Sequence, residues 1–422
     1  MSRSRLLALV LVGACAPAAQ PPSPVEPTPA MIAHARDVHA RVLTLDTHVD
    51  IDAGHFTSGS PNYADSLGTQ VNLPKMEAGG LDAVFFSIYV GQGPQTDAGY
   101  AAALAVQMEK FDAVQRLATE LAPGRIAIAR TADDVQRIVA TGRKAALMGV
   151  ENAYGIGTDI ANVRRFHERG ARYMSLSHNG HSQLSDSNTG ERDGVWQWNG
   201  LSPLGRAAIA EMNRLGMMVD ISHPSKAANM QAMALTRAPV IASHSAVRAL
   251  CDHSRNLDDE QLRALARTGG VVQIVAFNNY LRTPPPPSAE RVAAIAALRA
   301  EFGLAEGQGG LGGLSAERRA AFQARMGEVN RRFPPPPRAT VRDLVDHIDY
   351  AVKLIGIDHV GISSDFDGGG GVQGWSDATE TPNVTIELVR RGYTEDQIAK
   401  LWSGNLLRVM RDVERAATLA AQ

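Results

Sequence analysis

Cysteine is nearly absent from this chain. Two residues in 422, Cys15 and Cys251, leave no material for a disulfide scaffold or a thiolate zinc site, so any metal must sit on histidine and carboxylate. Excess charge is missing too. With 42 Lys and Arg against 44 Asp and Glu, the formal charge is −2, which gives nucleic acid no footing. No apolar run approaches the roughly 20 residues a membrane-spanning helix needs, and no solenoid-type repeat appears. What remains is a globular composition, 44% apolar and 20% charged, which excludes wholesale disorder and a coiled coil. The length suits one barrel-sized domain or two or three ordinary ones.

The first residues read MSRSRLLALVLVGAC. Arg3 and Arg5 precede a short apolar stretch, Leu6 to Val12, that reads as an export signal. Its end, Val12-Gly13-Ala14-Cys15, resembles the bacterial lipobox, in which the cysteine is lipidated and begins the mature protein. The other reading is an ordinary signal cleaved after small residues, with Cys15 incidental. Six prolines between Pro17 and Pro29 then favour an extended spacer. The expected organisation is a signal over residues 1–15, a linker over 16–30 and a folded domain over 31–422, exported to the periplasm and tethered to an envelope membrane by the N-terminal lipid alone.

Within the domain, short apolar runs alternate with amphipathic stretches. The runs lie at 42–47, 83–90, 145–150, 172–177, 217–222, 240–243, 271–277 and 360–364. They are rich in Val, Ile, Leu, Met and Phe without strict alternation, as expected for strands buried on both faces of a parallel sheet. Helix signals fall between them at 131–140, 202–215, 257–268 and 340–355, with Thr131 and Asp134 at one start and Gly216, Gly269 and Gly356 at three ends. Eight such alternations predict an α/β fold, a (β/α)8 TIM barrel. An open doubly wound sheet would usually carry a glycine-rich loop after its first strand, and none is there. Residues 281–340 break the rhythm. Tetraprolines 284–287 and 334–337 bracket two helix-like stretches, 289–302 and 316–332, joined by a glycine-rich 307–313, which predicts a helical insertion between strands seven and eight.

The polar residues that close these runs are the chemical signal. His48 and Asp50 stand two apart in extended chain and so share a face. Glu151, His178, His223, His244 and Asp365 close five further runs, at the end of a barrel where active sites form. Taken singly, each histidine reads more readily as a hydrogen-bonded structural residue. As a set they offer the nitrogen and oxygen donors zinc takes when no thiolate is present. A carboxylate such as Glu151 can bridge two ions about 3.5–4 Å apart, an arrangement that generates hydroxide for hydrolysis.

The segments DTHVD, GVENA, SLSHN, MVDISHPS, PVIASHS, SRNL and DHVGISSDFDG, in this order, resemble the renal or membrane dipeptidase family, peptidase family M19 of the amidohydrolase superfamily. The C-terminal ELVRRGYTEDQIAKLWSGNLLRVM is similar to that family's last helices, and the resemblance spans about Val42 to Glu414 apart from 281–340. It implies a dipeptidase with two Zn²⁺ (Mn²⁺ or Co²⁺ would suit the same ligands), acting on dipeptides, including those with a C-terminal D-residue, through a hydroxide that bridges the metals. Carried over by position, His48 and Asp50 would hold one ion, His223 and His244 the other, and Glu151 would bridge. His178 would touch the substrate and help polarise the scissile carbonyl, and Arg255 would clamp its C-terminal carboxylate. Asp365 would move the proton from water to leaving amine, and Tyr280 would line the pocket. A homodimer is a common arrangement for such barrels.

The chain departs from the mammalian pattern, which has structural disulfides and a C-terminal lipid anchor. His181 adds an imidazole near the pocket and reads as a hydrogen-bonded rim residue rather than a ligand. Two other readings stay open. One is a different binuclear amidohydrolase cleaving N-acyl amino acids, lactones or β-lactams. The other is a non-catalytic lipoprotein that has kept a metal site.

Overall fold

The first apolar run forms its strand three residues later than its sequence suggests, so that His48 and Asp50 lie within the strand rather than beyond it. The computed structural model describes residues 26–304 and 314–420. The signal-like segment, Cys15, the prolines before residue 26 and the glycine-rich 307–313 lie outside the described residues. The first helix, Pro29–Arg41, begins inside the stretch read as linker. Thr28 caps it and accepts from the Met31 N–H, while Pro29 takes the first turn, where a missing N–H costs nothing.

Among the described residues nine strands follow: β1 Leu45–Asp50, β2 Ala83–Tyr89, β3 Ile126–Ile128, β4 Lys144–Glu151, β5 Ala171–Ser175, β6 Met218–Asp220, β7 Ile241–Ser245, β8 Val271–Val275 and β9 Val360–Ser363. Eight of them run parallel in the order β1-β2-β4-β5-β6-β7-β8-β9, and β3, which the sequence reading missed, pairs with the start of β4. Beyond β9 the chain turns back to β1, where the Asp50 N–H donates to the Phe366 carbonyl at 2.9 Å and Val49 bridges Phe366. This is a nearly closed (β/α)8 TIM barrel. The expected strands hold, with boundaries displaced by up to three residues at the ends where ladder pairing gives way to loops.

The helices start where their side chains can cap them. Capping boxes join Thr131 to Asp134, Asp258 to Gln261 and Thr340 to Asp343. Between β8 and β9, the seventh and eighth barrel strands, the helices Ala289–Glu301 and Ala316–Arg332 pack on each other through Leu298, Leu314 and Phe322. The C-terminal helix Asn405–Ala420 closes the N-terminal ends of the strands. Its Leu406, Leu407, Met410 and Val413 join Leu45, Ala83, Met218, Ile241 and Val271 in one buried cluster. With that end filled by apolar side chains, the polar chemistry is confined to the C-terminal ends. Among the described residues no helix is long and apolar enough to cross a membrane.

Candidate active site and metal centre

Each barrel strand that carries a site residue delivers it to the same point. His48 and Asp50 come from β1, Glu151 ends β4 and His244 lies near the end of β7. His178 and His223 each sit three residues past β5 and β6, and Asp365 two past β9. The last two turns are strained. His223 and Asp365 adopt φ of +80° and +57°, a left-handed conformation that non-glycine residues rarely take without a functional constraint. Gly368 completes the turn because a Cβ there would lie 2.2 Å from Asp50 Oδ2 and 2.5 Å from Asp365 Oδ1.

Glu151 is the centre of the constellation. Its Oε1 lies 2.9 Å from His223 Nε2, 3.4 Å from His244 Nε2 and 3.5 Å from His178 Nε2. Its Oε2 faces His48 Nε2 at 3.3 Å and accepts a hydrogen bond from Ser87 Oγ at 3.1 Å. Asp50 Oδ2 and Asp365 Oδ1 approach His48 Nε2 to 3.5 and 3.9 Å. The donors fall into three overlapping groups: His48 with Glu151 and His244; Glu151 with His178 and His223; His48 with Asp50 and Asp365.

Buried partners orient these imidazoles. Tyr173 reaches through the barrel interior so that its hydroxyl meets His48 Nδ1 at 3.0 Å and donates to the Thr47 carbonyl at 3.1 Å. Its ring occupies the place of a side chain on Gly149, where a Cβ would stand 1.9 Å from it. Asp220 accepts from the Ser243 N–H and hydroxyl at 2.9 and 2.6 Å, and Ser243 Oγ meets His244 Nδ1 at 2.8 Å. Both arrangements leave the Nε2 atoms of His48 and His244 facing the cluster, the second-layer support a metal-binding imidazole requires.

Burial pushes His223 and His244 well below the usual histidine range, which keeps their imidazoles neutral. It also lowers His178, against the pull of Glu151. His48 goes the other way. Burial opposes its charge, but the Tyr173 hydroxyl, Glu151 and Asp50 raise it well above the ordinary value. Glu151 is held well below the carboxylate range because His48 and His178 outweigh its burial. Burial drives Asp365 well up, and the charges of Asp50 and Glu151 add to the effect. Three carboxyl groups, those of Asp50, Glu151 and Asp365, converge on a point where His48 Nε2 is buried without a hydrogen-bond partner. A divalent cation would supply the missing positive charge and the missing bonds, so these donors fit a metal.

The cluster forms the floor of a cavity of about 540 Å³. Arg255 stands in its wall, with Nη2 donating to the His244 carbonyl at 3.0 Å and its guanidinium 5.4 Å from the centre of the Tyr280 ring. Tyr280 stacks on Phe277, ring centres 4.2 Å apart. Each described residue given a metal, catalytic or substrate role from the sequence, from His48 to Asp365, therefore borders this space or its floor. Asp367, the second aspartate of the DFD sequence, turns from the cluster to accept the Gln70 and Val71 N–H groups. His181 lies outside, held by the Ser187 N–H and the Val195 carbonyl. Cys251 is buried and forms no disulfide among the described residues. The sequence reading missed Tyr173, Ser87, the Asp220–Ser243 pair, and Tyr89 and Lys110 in the cavity wall. None of these stands out by spacing; only the run-end position of Tyr89 offered a signal.

The profile of the membrane dipeptidase family, peptidase family M19, matches residues 32–422. The chain belongs to that family. It is 33% identical over 356 residues to Dipeptidase tcpJ of Claviceps purpurea, covering 83% of this chain and 71% of that one. Dipeptidase aclJ of Aspergillus oryzae is 32% identical over 358 residues, 84% of this chain and 72% of its own. The crystal structure of the probable dipeptidase PvdM from Pseudomonas aeruginosa superposes with a TM-score of 0.77 at 35% identity, covering 92% of this chain and 99% of that one. The protein is thus a hydrolase, a metallo-dipeptidase, whose His, Glu and Asp clusters can hold metal.

Proposed function

We propose that this dipeptidase is a two-zinc enzyme of the bacterial envelope that splits the single peptide bond of dipeptides, including those ending in a D-residue. The observation that carries the reading is the division of Glu151, one oxygen toward His223 and His244 and the other toward His48. His48 and Asp50 would hold one ion and His223 and His244 the other, with Glu151 shared between them. Zinc bound there would polarise the scissile carbonyl and supply hydroxide at neutral pH, and manganese or cobalt would suit the same donors.

The side chains do the rest. Arg255 receives the C-terminal carboxylate in its guanidinium fork and so sets the peptide bond over the cluster. His178, kept neutral by burial, donates from Nε2 to the carbonyl oxygen as charge develops on it. Asp365, which burial makes a stronger base than an ordinary carboxylate, accepts the proton of the attacking water. It returns that proton to the amine nitrogen as the C–N bond breaks. Tyr280 and Phe277 screen the pocket wall from solvent. Tolerance of a C-terminal D-residue and placement in the periplasm rest on the family resemblance and on the signal-like N-terminus with Cys15.

A panel of L-X-L-X and L-X-D-X dipeptides, offered to metal-stripped and zinc-reconstituted protein, tests the proposal. Amino-acid release that appears only with metal supports it. A two-zinc protein inert to every dipeptide would contradict it and favour an N-acyl amino acid, lactone or β-lactam.

A further inference from the structure

Arg255 shares the cavity with a second cation. Lys110 lies on the helix Asp97–Arg116, which follows β2, and its side chain forms part of the cavity wall. Its Nζ stands 5.2 Å from the centre of the Tyr89 ring, and Tyr89 packs on His178 with ring centres 4.7 Å apart. Among the described residues Nζ has neither a hydrogen-bond acceptor nor an ion-pair partner. Asp50, Glu151 and Asp52 attract it only from a distance, and burial lowers its pKa. A half-buried ammonium over an aromatic face is poorly solvated, and an anion brought beside it would complete its environment.

The position of Lys110 in the barrel says which part of a substrate it meets. β2 and β7 are the second and sixth of the eight barrel strands, so Lys110 after β2 and Arg255 after β7 stand on opposite walls with the histidine cluster between them. A dipeptide whose C-terminal carboxylate rests on Arg255 extends its N-terminal residue toward Lys110. We propose that Lys110 pairs with a side-chain carboxylate on that N-terminal residue, so that the enzyme prefers dipeptides beginning with Glu or Asp. Asp52 shares that wall and leaves the substrate's α-ammonium facing a carboxylate as well as Lys110. This assignment rests on the dipeptidase reading and on Arg255 as the C-terminal clamp.

The test compares kcat/KM for L-Glu-L-Ala and the near-isosteric L-Gln-L-Ala on the zinc-loaded protein, with L-Ala-L-Ala as reference. The wild type is expected to favour L-Glu-L-Ala by about tenfold or more, chiefly through KM, as a charge-assisted hydrogen bond implies. In Lys110→Met, and in the closer Lys110→Gln, that ratio is expected to collapse to about one, and Lys110→Arg is expected to keep most of it. A merely structural defect would lower both substrates alike and leave the ratio standing. A wild-type ratio near one, or a ratio preserved in Lys110→Met, overturns the assignment while L-Ala-L-Ala hydrolysis keeps the dipeptidase reading intact. Failure to cleave all three dipeptides overturns both.

Discussion

Oε1 of Glu151 lies 2.9 Å from Nε2 of His223. The other oxygen of the same carboxylate faces His48 at 3.3 Å, so one buried side chain joins imidazoles from opposite parts of the barrel. That sharing makes the site a single centre rather than two adjacent ones.

Glu151→Gln is therefore expected to damage both halves at once. The amide keeps the shape but loses the charge that balances cations there. Zinc content should fall, and kcat/KM for L-Ala-L-Ala should drop by at least about 100-fold, more than a second-layer change costs. Metal analysis beside kinetics checks this; full zinc occupancy with undiminished turnover would contradict it.

Ser243→Ala isolates the support of one ligand. Ser243 links Asp220 to His244 Nδ1. Removing its hydroxyl is expected to leave the fold intact and to weaken zinc binding by about 10–100-fold in chelator competition.

Gly149→Ala should act through Tyr173, since the new methyl would stand 1.9 Å from its ring. Overpacking of this kind costs about 1–3 kcal/mol, seen as a lower Tm. The displaced hydroxyl also releases His48, so zinc affinity should fall as well. Tyr173→Phe should weaken zinc binding with a smaller loss of stability.

Arg255→Met addresses the proposed clamp. A dipeptide should lose about 10–100-fold in kcat/KM, the worth of a charge-assisted pair, while the matching dipeptide amide, which offers no carboxylate, should lose far less. Equal losses on the two substrates would remove Arg255 from that role.

A pH effect on stability follows from His167, which burial and the nearby Arg172, Arg130 and Arg214 pull down to about 4. Its folded value lies below the ordinary 6.5. Between those values the unfolded chain binds more protons, so the stability that neutral His167 contributes is present above 6.5 and lost as pH falls toward 4. His167→Gln should flatten the fall of stability over that window by about 1–2 kcal/mol after solvent screening. Thermal melts across the window read it directly, and an unchanged slope would contradict it.

Much of the candidate cluster was legible because polar side chains at barrel strand ends leave a trace in one dimension. His48 and Asp50 stand at strand spacing, and Glu151, His244 and Asp365 follow runs of buried apolar residues. Tyr173 left no such trace, since an aromatic inside a strand looks like core until its hydroxyl is seen against His48 Nδ1. Lys110 was hidden differently. A lysine on a helix reads as solvent-facing, and only the packed fold places this one in the cavity wall. Strand limits drifted for a tertiary reason. The left-handed turns at His223 and Asp365 depend on long-range packing, which apolar periodicity does not record.

The most direct test of the account is a zinc titration of metal-stripped protein, following hydrolysis of L-Ala-L-Ala and of L-Ala-D-Ala together with bound metal. The shared carboxylate of Glu151 predicts that turnover is absent without metal and reaches its plateau only when the second zinc ion binds. Full activity in the stripped protein, or a plateau reached with a single ion, would contradict it.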